Sequence, residues 1–75
     1  MPRPRKVDQA LRELKKHDAQ FQFYSAKGSH IAIWHPNIQG KPRSYTIPHH
    51  KGRDIHKCYL SDIIKRFELS SDFFG

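Results

Sequence analysis

Seventy-five residues make one domain with a thin core, because a chain this short buries too little surface to support a second. Lys and Arg number 14 against 7 Asp and Glu, a formal charge of +7, so the expected partner is an anion, first of all a polyphosphate backbone that releases condensed counterions on binding. A 36% hydrophobic share with 12% aromatics exceeds what a disordered polar chain carries, and no apolar run is long enough to make a membrane the partner.

Residues 1–6 alternate proline with basic side chains and read as a basic mobile arm ahead of a single domain, 7–75. Val7, Ala10, Leu11 and Leu14 recur at i, i+3, i+4, i+7 and predict an amphipathic helix over 7–17, with Lys15, Lys16 and His17 at the negative pole of its dipole. The period then falls to two: Ala19, Phe21 and Phe23 alternate with Gln20, Gln22 and Tyr24, which predicts a strand. Ala26-Lys27-Gly28-Ser29 reads as a turn in which Gly28 is free to take positive φ. A second strand runs from His30 to Trp34 or His35, with Ile31 and Ile33 on one side and His30, Ala32 and Trp34 on the other.

Pro36 to Pro42 reads as a long hairpin loop, and Arg43 to Ile47 as a third strand that Pro48 stops. His49-His50-Lys51-Gly52-Arg53-Asp54 is a cationic loop, after which Leu60, Ile63, Ile64 and Phe67 mark the apolar face of a helix starting at Asp54 or Ile55. Cys58 is expected as a small buried residue at that helix start, and Ser70 to Phe74 as a capped final turn with Phe73 packing back. The order α-β-β-β-α predicts an α+β fold, a three-stranded antiparallel sheet with two helices on one face.

RNA carries its own nucleophile, the 2′-OH, so its cleavage needs a proton acceptor, a proton donor and positive charge at the phosphate. Lys27-Gly28-Ser29-His30 offers these together: His30 as general base or acid, Lys27 for the phosphate, and the backbone N–H groups around Gly28 and Ser29 as an anion nest. His49 and His50 stand ready as a second proton-transfer group or phosphate contact, Trp34 and Tyr45 as rings for a base, and Arg43, Lys51, Arg53 and Lys57 as cationic surface. Each has an ordinary alternative: a structural histidine, packing aromatics, solvated charge. One cysteine forms no intramolecular disulfide and the N-terminus carries no secretory pattern, so a cytoplasmic location is expected. With the histidines scattered and no second cysteine, neither a metal site nor a cofactor is expected.

Several segments follow one another in an order that resembles the HicA-type toxins, small bacterial and archaeal mRNA interferases of type II toxin–antitoxin systems. They are Leu11-Arg12-Glu13-Leu14-Lys15-Lys16-His17, Lys27-Gly28-Ser29-His30, Thr46-Ile47-Pro48-His49, Gly52-Arg53-Asp54-Ile55, and Leu60 to Leu69 running into Ser70 to Phe73. No single piece is specific; the ordered set, from about Val7 to Phe74, is. The resemblance implies a double-stranded-RNA-binding-domain-like fold and a metal-independent endoribonuclease acting on mRNA, with His30 catalytic. Lys27, Gly28, Ser29, Trp34, Arg43, His49 and Lys51 complete the candidate RNA-binding set. It also implies a HicB-type antitoxin that inhibits a monomeric toxin within a larger complex.

The chain departs from the family where Cys58-Tyr59-Leu60 replaces a common Gly-Thr-Leu, and in the length of the Pro36 to Pro42 segment. Two other classes compete: a non-catalytic double-stranded-RNA binder of the same fold, and an interaction module whose basic face docks an acidic protein.

Overall fold

The computed structural model describes residues 3–49 and 52–75. Its elements are α1 (Val7–His17), β1 (Gln22–Ala26), β2 (His30–Ile38), β3 (Lys41–Pro48) and α2 (Lys57–Arg66), in the expected order. The strands form one antiparallel sheet, β1-β2-β3, so each consecutive pair is a hairpin. Phe23 pairs with Ile33 and Ile33 with Tyr45, while Ile31 pairs with Ile47. Strand alternation therefore gathers these side chains on one face.

Both helices pack on that face. Val7, Ala10 and Leu14 of α1 meet Leu60 and Ile63 of α2 and Ile33 and Ile47 of the sheet in one buried cluster. Phe21, Phe67 and Phe74 fill the gaps between elements, and Phe21 and Phe67 meet edge to face at 5.1 Å. The α+β arrangement read from the sequence is the observed one.

The differences are local and have identifiable causes. β1 starts at Gln22 rather than at Ala19, because the Asp18 carboxylate accepts the Gln20 N–H at 2.9 Å and holds a turn there. Phe21 still reaches the core. The long loop expected over Pro36 to Pro42 is a two-residue connection instead: β2 continues to Ile38, β3 begins at Lys41, and Gln39 and Gly40 carry φ of 53° and 85°. Positive φ at both central positions is the type I′ hairpin signature. Pro36 sits in the register shift between His35 and Ile38, where a missing N–H costs the ladder least.

α2 starts at Lys57, since Asp54 is bridged to Lys6 and the Ile55 N–H donates to the Arg5 carbonyl, which keeps 54–55 extended. Cys58 is exposed, because the buried stripe runs through Leu60, Ile63 and Phe67 and leaves it on the solvent side. In the tail Phe73 packs back against the core and His17 as expected, half-buried, and Phe74 beside it is fully buried.

Within the expected basic arm, Arg5 is buried at 8% exposure. Its guanidinium donates to Glu13 and to the Phe74 carbonyl, and Nε donates to the Arg3 carbonyl at 3.0 Å. A guanidinium has enough fixed donors to bind several acceptors at once, which is why this position packs where proline and charge suggest a free end.

Candidate functional site

The β1–β2 turn is built by Gly28 at φ 72°, a conformation costly to any residue with a Cβ. The turn delivers Lys27, Ser29 and His30 to one corner of the sheet, all exposed. His30 Nδ1 lies 3.2 Å from the Lys27 carbonyl oxygen. A carbonyl only accepts, so in this contact Nδ1 carries the proton, and Nε2 is the basic nitrogen of the neutral ring. That is the tautomer a general base at the surface needs.

The other side of the corner comes from β3. His30 pairs with Pro48, and the His49 N–H donates to the Ser29 carbonyl. The His49 backbone is thereby adjacent to the His30 turn, and half-buried His49 and exposed Lys27 lie at the same end of the sheet as His30. Pro48 also borders an open hollow of about 210 Å³ lined by Arg53, His56 and Tyr59. A larger hollow, about 370 Å³, lies beside Arg5, Glu13 and His17 and includes none of the corner residues.

The remaining candidates divide. Trp34 faces the same side of β2 as His30, farther along the strand, and is half-buried. Arg43 is not brought to the corner. It pairs with His35 on the helix side, donates to the Arg66 carbonyl at 2.9 Å, and lies 3.3 Å from Glu68, which makes it a tie between β3 and the end of α2. Tyr45 is also on the helix side: its hydroxyl donates to Asp62 at 2.8 Å, and burial, reinforced by that hydrogen bond, pushes its pKa up to about 12. It remains a phenol at physiological pH and is not available to stack with Trp34. Lys51 and His50 lie outside the described residues.

Two other histidines have structural work. His35 is buried; its Nδ1 accepts the Asn37 N–H at 3.1 Å, so Nε2 carries the proton it donates to Asp18 at 2.8 Å. His56 caps α2, its Nδ1 accepting the Cys58 N–H at 3.2 Å. Among the described residues no group of three or more His, Cys, Asp or Glu is placed to hold a metal ion. No helix is long and apolar enough to cross a membrane among those residues.

Tyr24 was not singled out as a site residue by sequence reasoning. Among the described residues it is the large hydrophobic side chain left most open, at 51% exposure, on the His30 face of β1. The signal was present in the alternation that places Tyr24 opposite Phe23, but a strand's polar side also accommodates tyrosine without any function.

A sequence model of the family described as HicA toxin of bacterial toxin-antitoxin matches residues 7–69. No curated protein and no solved structure matches the chain significantly.

Proposed function

From the premise that this chain belongs to the HicA toxin family, and is thus the toxin of a toxin–antitoxin pair, we propose that it is a metal-independent endoribonuclease centred on His30. The observation that carries this reading is the Nδ1 contact of His30 with the Lys27 carbonyl, which leaves Nε2 as a base on an exposed cationic corner. Nε2 takes the proton of a ribose 2′-OH, whose oxygen attacks the adjacent phosphorus. The P–O5′ bond breaks, leaving a 2′,3′-cyclic phosphate and a 5′-hydroxyl. The leaving 5′-oxygen takes its proton from a second group, and His49, whose backbone N–H is bonded to the Ser29 carbonyl of the turn, is the candidate. Lys27, with the backbone N–H groups around Gly28 and Ser29, holds the phosphate and the charge that develops on it.

The substrate is mRNA in this reading, and the inhibitor is a HicB-type antitoxin whose acidic surface covers the same corner of a monomeric toxin. The test is cleavage of a purified single-stranded RNA in EDTA, wild type beside His30→Ala, with binding followed in parallel. Wild type is expected to cut, and His30→Ala to bind but lose cutting by about 100-fold or more. If both proteins bind alike and neither cuts, the nuclease reading fails and a non-catalytic double-stranded-RNA binder takes its place.

A further inference from the structure

Both helices occupy one face of the sheet, and the opposite face presents two aromatic rings among small side chains. Tyr24 pairs with Ala32 and Ala32 with Thr46, while Trp34 pairs with Ser44. Tyr24 and Trp34 are therefore diagonal neighbours across β1 and β2, close enough for two rings to form a shared surface. Ala32, Ser44 and Thr46 are small and Gln22 stands opposite Trp34; Tyr24 is exposed and Trp34 half-buried, and the Tyr24 hydroxyl donates to Gln22 on its own strand, which steadies the ring. At the strand rise, Tyr24 is level with a position about 7 Å from His30 and Trp34 about 13 Å from it, on one line leading to the corner.

Charge makes this face suited to a polyanion. The sequence from Ala19 to Arg53 contains no Asp or Glu, so every carboxylate of the chain lies on the helices or the segments beside them. Lys27 and His49 stand at one end of the sheet and Lys41 begins β3 at the other. A chain of phosphates lying along the face meets no carboxylate on the strands. Stacking on exposed rings requires unpaired bases, because a duplex keeps its bases in its own stack and offers a protein phosphates and 2′-hydroxyls.

We propose that the open face of the sheet is a stacking platform for single-stranded RNA, with Tyr24 and Trp34 each holding a base and the strand leading to His30. The proposal rests on the nuclease reading only for its substrate; its own content is that the RNA is bound unpaired and by its bases.

Trp34 is the chain's one tryptophan, so its fluorescence reports this face directly. Titrations use the His30→Ala protein, which leaves RNA uncut, with a short oligouridine, an RNA duplex of similar length, and inorganic polyphosphate as a probe of charge alone. Oligouridine is expected to quench Trp34 saturably, and duplex and polyphosphate not to. Adding Tyr24→Ala is expected to weaken oligouridine binding about five-fold or more, while Tyr24→Phe keeps it. Equal quenching by all three probes, or unchanged affinity in Tyr24→Ala, overturns the platform. The absence of any RNA affinity also overturns it and leaves an acidic protein as the occupant of the face. The two readings fail separately: a wild type that cuts RNA while Tyr24→Ala binds undiminished sinks the platform alone. A wild type that never cuts, with quenching by oligouridine only, sinks the nuclease and supports the platform.

Discussion

His30 and His35 share β2 but lie on opposite faces through strand alternation, and the hydrogen bonds of each ring give them opposite tautomers. His30 is exposed, with Nδ1 as donor; His35 is 2% exposed, with Nδ1 as acceptor and Nε2 donating to Asp18. His35 also meets Phe21 edge to face at 4.8 Å, so His35→Ala opens a cavity and removes a hydrogen bond together. It is expected to cost about 2–4 kcal/mol in urea unfolding. A loss below about 0.5 kcal/mol would show that the site repacks. The Asp18 carboxyl is held below its ordinary value first by the Gln20 backbone N–H and then by His35. A depressed folded-state pKa stabilises above the unfolded value and loses that contribution as pH falls through the folded one, here from about pH 4 downward. Asp18→Asn is expected to lower stability at pH 7 and to flatten the wild type's decline below about pH 4. Parallel acid limbs in the two proteins would remove Asp18 from the account.

At the scale of elements, the β2–β3 hairpin shows why proline is a poor guide to loop length. Pro36 and Pro42 both lie inside strands, and the chain reverses in the two residues between Ile38 and Lys41. The Asn37 side chain accepts the Gly40 N–H at 2.6 Å and closes the turn. A Cβ at Gly40 would meet nothing within 4 Å, so the cost of Gly40→Ala is backbone conformation alone, about 1–2 kcal/mol. Gly40→Asn is expected to recover part of that, since Asn tolerates left-handed backbone. Equal urea midpoints for the Ala and Asn variants would mean that the turn is not held at positive φ. The second helix illustrates the complementary error: its apolar stripe was legible, but its start was decided by Asp54 and Ile55 being engaged with Lys6 and Arg5.

Across the whole molecule, Arg5 joins the two ends of the chain. The Arg3 N–H donates to the Phe74 carbonyl at 2.8 Å, the Arg5 guanidinium donates to the same carbonyl, and it stacks over the Phe74 ring at 5.0 Å. Glu13 supplies the countercharge from α1. Arg5→Ala removes the guanidinium from the Arg3 and Phe74 carbonyls and from the Glu13 carboxylate, leaving Phe74 with the Arg3 N–H and Glu13 with Gln9, an expected loss of about 2–3 kcal/mol. Arg5→Lys is expected to recover little, because an ammonium cannot reproduce the planar fork. Denaturation of the three proteins decides it, and an Arg5→Ala curve that overlays wild type would place residues 3–6 outside the cooperative unit.

The sequence by itself determined the order of elements, the two helix stripes, the Gly28 turn and the strand face that carries His30, because periodicity and a glycine's φ are local properties. It also carried the family resemblance, which the match over residues 7–69 bears out. Only the tertiary structure decided which polar groups meet. It set His49 beside the His30 turn, turned Arg43 and Tyr45 away toward α2, paired His35 with Asp18, and left Tyr24 and Trp34 diagonal on an open face. Those contacts join residues distant along the chain, and their register is fixed by strand pairing and core packing together, which no local pattern records.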